Sequence, residues 1–497
     1  MNALKSLYWI CGITFLCLST AATAHHDPVN VPHHPGDATP EALQMIGQDV
    51  VAANGHTGKH TAVAIFDGGF DWTNDSTFGN CMNPAGVVDS EGWAPVSPDG
   101  SCKIAWVQCF MGSDCNISNS DGHGEFVSRV VLGVAPNTKL LMLEAAGFEA
   151  NIVAGVEWLT AVKSWPSTAD QTPVERFNIV ATSASSDPRR ISGKFSWEIF
   201  KTGCSADALA DEADWFNAWS TLRAHGVLPV ASAGNSGTKG GVFFTGCSGD
   251  LLMVGSVFDR DWDQVINFGT LGIPRVHGQM PCLQVNPRAG EITCYSNNDL
   301  TLVPILAPGS LGGTSGAAPY VAGAVAVLRA PDVWAAATAD QTQDLLTSTG
   351  VATTDDRACS AAEGSFGSDP YGIFNSDENN VHNWPPTITD QFNNANINSA
   401  SPYDWLPAFD VAWGYGDSSA RWSCLYDGTY KEPASGGASF LRGKDFDPVT
   451  VAAGDIWPKD PDLYWDDIPA YDTPRLQLDE AVAMALRSRQ KIIESGE

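Results

Sequence analysis

Four polar residues, far apart in the chain, each sit where local sequence would hold a reactive group in place. Ser315 lies in Gly312-Gly313-Thr314-Ser315-Gly316-Ala317-Ala318-Pro319. Glycine enters positive φ without a Cβ clash, so Gly312 and Gly313 allow a sharp turn into a helix. Pro319 fits near a helix start, and Ser315 would then face free N–H groups and the positive end of the helix dipole. Asp67 ends the apolar run Ala62-Val63-Ala64-Ile65-Phe66 and precedes Gly68-Gly69, which predicts a buried strand entering a tight turn. His123, in Asp121-Gly122-His123-Gly124, opens a helix whose Val127, Val130 and Val131 face inward. Asn235 stands in the turn after Leu228-Pro229-Val230-Ala231. A serine hydroxyl is a poor nucleophile until a base takes its proton, and a histidine titrates near the range that task needs. The bland alternative for Ser315 alone is an N-cap on a buried helix.

These segments, in this order, resemble the subtilisin-like serine peptidases. That family has Asp-Thr-Gly after its first strand, His-Gly-Thr-His-Val-Ala-Gly on a helix, Ala-Ala-Gly-Asn at the oxyanion turn and Gly-Thr-Ser-Met-Ala-Ala-Pro-His-Val-Ala-Gly around its serine. Here Gly313-Thr314-Ser315, Ala317-Ala318-Pro319 and Val321-Ala322-Gly323 match. Connecting pieces agree: Thr57-Gly58-Lys59, Val134-Ala135-Pro136-Asn137, Tyr295-Ser296-Asn297 and Ala307-Pro308-Gly309. The resemblance runs from about Pro40 to Gly350 and resumes at Pro474-Arg475-Leu476-Gln477-Leu478. The order Asp67, His123, Ser315 excludes the α/β-hydrolase elbow, whose serine comes first.

The resemblance implies an α/β fold: a parallel sheet with helices on both faces and the site at the strands' carboxyl ends. It implies that Asp67 orients the base His123, that Ser315 attacks the scissile carbonyl, and that Asn235 with the Ser315 N–H binds the oxyanion. Thr182-Ser183-Ala184-Ser185 stands where the family has Met-Ser-Leu-Gly, which assigns Ser183, Ala184 and Ser185 to substrate binding, although Ser183 also reads as a solvated strand-end serine. Among the departures, Phe126 replaces the second histidine of the helix motif, Gly316 the methionine after the serine, and Glu125 a threonine, where a capping carboxylate is expected. The expected activity is peptide-bond hydrolysis on protein or peptide substrates with no catalytic cofactor. The alternative is a catalytically silent relative whose insertion binds a partner.

The elements that carry these residues set the domain plan. Lys5, the apolar stretch Leu7 to Leu18 and Ala22-Thr23-Ala24 read as an export signal over 1–24, which predicts a secreted or periplasmic protein. A loose arm follows over 25–39, too short for the folded pro-segment of many secreted relatives. The catalytic domain is expected over 40–359, an acidic, aromatic-rich irregular insertion over 360–471, and a returning helix over 472–497, from Leu478 to Leu486. No later run is long enough to span a membrane. Ten of the twelve cysteines follow the signal, an even number suited to disulfides, and Cys102, Cys109 and Cys115 fall in a loop between Asp67 and His123. Asp460, Asp462, Asp466 and Asp467 are candidate structural calcium ligands without EF-hand spacing. The 57 acidic against 27 basic residues give a formal charge of −30, which opposes binding to nucleic acid or anionic membrane. Composition fixes no oligomeric state.

Overall fold

The computed structural model describes residues 38–70, 76–83, 92–110, 122–145, 149–165, 169–185, 212–235, 241–262, 287–293, 295–309, 312–355 and 471–495, with short pieces at 29–30, 199–200, 204, 209–210, 265–267 and 283–285. The export signal, most of the 360–471 insertion and the candidate calcium ligands lie outside these residues.

One nine-stranded sheet organises the chain. Its strands, numbered in chain order, are β1 (Ala62–Asp67), β2 (Ile104–Cys109), β3 (Lys139–Glu144), β4 (Ile179–Ala184), β5 (Val230–Ser232), β6 (Leu252–Val257), β7 (Ile305–Pro308), β8 (Val351–Asp355) and β9 (Tyr471–Arg475). They lie in the order β8-β9-β7-β6-β5-β4-β1-β3-β2. Every neighbouring pair is parallel except β8 with β9 at the edge. Strand β1 therefore sits between β3 and β4, where the winding changes direction. In open α/β sheets the crevice beyond the strands' carboxyl ends at such a point holds the ligand site.

The near-continuous apolar runs of β1 and β3 follow from burial on both faces. Val63 and Ile65 of β1, with Leu140 and Met142 of β3, pack on one side with helices α1 (His123–Val134), α4 (Gly313–Leu328), α5 (Ala339–Ser348) and α6 (Leu478–Ser495). Ala62, Ala64 and Phe66, with Leu141 and Leu143, pack on the other with α2 (Glu149–Thr160) and α3 (Ala213–Ala224). The predicted two-faced α/β sheet is thus the observed one.

Helix α4 is the centre of the first layer, and all of its residues are buried. A helix apolar around its whole circumference belongs inside a domain. A Cβ on Gly323 would meet the Val134 side chain at 2.7 Å, and one on Gly316 the tip of Phe126 at 3.2 Å. These two glycines, seven residues apart, lie on one helix face and let α4 lie close against α1. The helix carrying Ser315 is thereby seated on the helix carrying His123.

Several local expectations need correction. Pro319 is inside α4 rather than in its first turn. The arm is not wholly loose, since Val29–Asn30 pairs in parallel with Ile266 and Asn267. Cys102 and Cys109 do not share a loop, because β2 runs between them and Cys102 is joined to Cys81. A second disulfide joins Cys204 to Cys247. Helix α6 continues past Leu486 to Ser495. Asp355 and Tyr471 stand opposite each other in register, so the strands on either side of residues 356–470 are hydrogen-bonded neighbours.

Candidate active site

Asp67 is the last residue of β1, and its carboxylate is buried. The Gly68 N–H donates to its Oδ1 at 2.8 Å. His123 is the first residue of α1, and its Nδ1 lies 2.8 Å from both Asp67 oxygens. A carboxylate can only accept, so Nδ1 carries the hydrogen and Nε2 of the neutral ring keeps its lone pair. Strand end and helix start are also tied through their backbones: the Gly124 N–H donates to the Gly68 carbonyl at 2.7 Å. A Cβ on Gly124 would come within 2.5 Å of the Phe70 ring, so the contact requires glycine.

Ser315 is the third residue of α4, and its N–H is among the first four that have no partner within the helix. Gly313 takes φ 68° to start that turn. The Ser315 hydroxyl donates to the Ser185 carbonyl at 2.9 Å. In return the Ser185 hydroxyl donates to the Ser315 carbonyl at 3.2 Å. Pro319 explains the second bond. Lacking an N–H, it cannot supply the bond that the Ser315 carbonyl would receive from four residues on, and Ser185 takes that place.

Asn235 follows β5, and its Oδ1 accepts from the Thr314 N–H at 2.8 Å and the Thr314 hydroxyl at 2.9 Å. A backbone N–H demands an acceptor, so these bonds orient the amide and commit its Nδ2 to the other side. Thr314 is fully buried, and its hydroxyl also accepts from the Gly234 N–H at 3.1 Å. One threonine therefore joins the Asn235 turn to the serine turn. Asn297 supports the same turn, donating from Nδ2 to the Ala233 carbonyl at 2.9 Å.

Phe126 connects the two halves. Its ring meets that of His123 edge to face, with centroids 6.3 Å apart. A Cβ on Gly312 would fall 2.5 Å from its tip. Two departures that look independent in sequence, Phe126 for a histidine and Gly316 for a methionine, are one adjustment in space: the larger ring occupies the room the smaller residue leaves. Glu125 forms an ion pair with Arg129 at 2.8 Å along the helix.

The three residues assigned to substrate binding divide. Ser185 reaches Ser315 directly, Ala184 is the buried last residue of β4, and Ser183 is fully buried with its hydroxyl unpartnered rather than solvated. Sequence reasoning missed Glu144. It ends β3 in register with Asp67, is buried, and has one carboxylate oxygen without a hydrogen-bond partner. The signal was present, because Leu140-Leu141-Met142-Leu143-Glu144 repeats the pattern that marked Asp67, an apolar run closed by a carboxylate.

With this geometry in place, the comparison with known proteins is decisive for the family. The model of the subtilase family matches residues 58–368, a stretch that holds Asp67, His123, Asn235 and Ser315. The chain belongs to the subtilase family. It is 22% identical over 299 residues to the major intracellular serine protease of Bacillus subtilis (strain 168), which covers 58% of this chain and 75% of that protein. It is 25% identical to subtilisin DY of Bacillus licheniformis, over 58% of this subtilase and 84% of the relative. Among solved structures, a cold adapted subtilisin-like serine proteinase aligns at 18% identity with a TM-score of 0.35, covering 59% of this chain and 83% of its own. Proteases from Pseudoalteromonas arctica PAMC 21717 align at 16% identity with a TM-score of 0.37, covering 66% and 93%. Among the described residues no helix is long and apolar enough to cross a membrane, and no group of three or more His, Cys, Asp or Glu side chains is placed to hold a metal ion.

Proposed function

We propose that this subtilase is an exported endopeptidase that cleaves protein or peptide substrates through an acyl-enzyme formed on Ser315. The observation that carries the reading is the Asp67–His123 pair, both carboxylate oxygens at 2.8 Å from Nδ1, at the switch point of the sheet. That pairing leaves Nε2 as the base. In the first step the Ser315 hydroxyl turns from the Ser185 carbonyl toward Nε2, passes its proton there, and Oγ attacks the scissile carbonyl carbon. Asp67 stabilises the imidazolium that forms. The Asn235 Nδ2 and the Ser315 N–H donate to the tetrahedral oxyanion. The imidazolium returns its proton to the leaving amine, and water repeats the sequence on the ester to release the acid.

Ala184 and Ser185 would line the substrate cleft, the latter already bonded to the serine turn. Disulfide bonding of Cys81 to Cys102, of Cys204 to Cys247 and of Cys109 suits an oxidising compartment, in keeping with the signal-like first residues. The test is digestion of an unfolded protein by the purified chain, with the fragments mapped by mass. Internal fragments from wild type, absent with Ser315→Ala, support an endopeptidase. Equal cleavage by both proteins would refute the assignment of Ser315.

A further inference from the structure

Asp67 has a second carboxyl group beside it. Strands β1 and β3 are parallel and in register through Asp67 and Glu144, so both side chains leave the sheet on the face that carries α1 and α4. The Gly69 N–H donates to the Glu144 carboxylate. The same Gly68–Gly69 turn is held from its carbonyl side by α1, through the Gly124 N–H at 2.7 Å and the Glu125 N–H at 3.4 Å. The turn that joins Asp67 to His123 is thus gripped between the helix start and Glu144.

We propose that Glu144 is a positioning residue for this reaction, a carboxyl group that braces the Asp67–Gly69 turn and tunes the proton affinity of His123 through its charge state. The inference rests on the peptidase reading for its kinetic meaning but not for its electrostatics. Two carboxylates side by side in a dry site do not both ionise cheaply. Asp67 has its Gly68 N–H and the His123 ring to support its anion. Glu144 has one backbone donor and a buried oxygen without a partner, which costs far more in an anion than in a neutral acid. Burial raises the Glu144 carboxyl first and the Asp67 charge adds to it, against the Gly69 N–H, and it comes to about 7. From α1 the charged neighbours are His123, bound to Asp67, and Glu125, paired with Arg129. From β2 the register partner is Cys109, which is disulfide-bonded and does not titrate.

The sign follows. As Glu144 loses its proton, the added negative charge favours the imidazolium, so His123 holds its proton to higher pH. The acid limb of kcat/KM in the wild-type protein is therefore displaced upward and broader than a one-proton curve. Glu144→Gln, similar in shape and uncharged, should move that limb down by roughly half a pH unit or more and restore one-proton steepness.

The experiment pairs kcat/KM profiles on a peptide substrate with NMR titration of the His123 imidazole, in wild type and Glu144→Gln. Superimposable His123 titrations in the two proteins overturn the proposal and leave the peptidase reading intact. Shifted titrations in a chain that hydrolyses nothing support the coupling and sink the peptidase reading. Should the variant not fold, the wild-type titration alone decides: a broadened, two-step His123 curve supports the coupling and a simple one-proton curve overturns it.

Discussion

The two halves of the site are organised by different forces. Around Asp67 and His123 the work is done by charge: a buried carboxylate, a ring held at 2.8 Å by both its oxygens, and a second buried acid beside it. Around Ser315 and Asn235 the bonds among the described residues join neutral groups. There the backbone is placed by neutral bonds, from Thr314 to Asn235, from Ser185 to the Ser315 carbonyl and from Ser315 back to Ser185. The first half fixes a proton acceptor, and the second fixes donors for an oxyanion that does not yet exist. A charged half responds to pH, and a neutral half to the loss of individual bonds. Phe126 touches both.

The largest expected effects come from the groups that exchange protons. Ser315→Ala or Asp67→Ala should lower kcat by roughly 10⁴-fold or more, read from initial rates on a peptide substrate. A loss confined to KM would show that the two halves do not form one catalytic unit. Next in size is Asn235→Ala, which should reduce kcat by about 10²- to 10³-fold with little change in KM, since its Nδ2 serves only the transition state. It also removes the acceptor for Thr314, so circular dichroism should accompany the kinetics.

Packing between the halves comes third. Gly312→Ala drives a Cβ against the Phe126 ring and should cost about 1–3 kcal/mol of stability in denaturant unfolding. Adding Phe126→Leu should recover part of that loss. Purely additive losses would show that the ring is not the contact that matters.

A smaller effect is pH-linked and belongs to the charged half alone. Glu144 stands at about 7 when folded, above the ordinary 4.5. For an acid raised in this way, the contribution to stability is full below its unfolded value and is lost as pH rises through its folded value. Thermal midpoints of Glu144→Gln should therefore gain a few degrees on wild type between pH 4.5 and 8. A constant difference across that range would place Glu144 outside the electrostatic half. Smallest is Ser185→Ala, which strips the Ser315 carbonyl of its donor and should cost about 1 kcal/mol in unfolding measurements while leaving the pH profile unmoved.

How much of this was legible in the sequence differs between the halves. Asp67, His123 and Asn235 could be placed because each ends or begins an element whose apolar pattern is plain. The parallel sheet and its two helix layers came from the family resemblance that these segments carry. The misread details nearest the site depend on contacts between distant segments. Pro319 looked like a helix-start signal, yet Ser185, some 130 residues earlier, supplies the bond that the proline cannot, and so the helix continues through it. Phe126 and Gly316 were two unrelated departures until the close seating of α4 on α1 brought them together. Glu144 carried the same local mark as Asp67 but lacked a motif around it, and only strand register puts the two acids side by side.

The central claim is that Ser315 is an activated nucleophile. It is tested most directly by treating the purified protein with a fluorophosphonate and mapping the adduct by peptide mass spectrometry, with Ser315→Ala as the control. The account predicts one adduct, on Ser315, that disappears in the control and forms more slowly as His123 is protonated. Folded protein that takes up no label, or that is labelled at another serine, would contradict it.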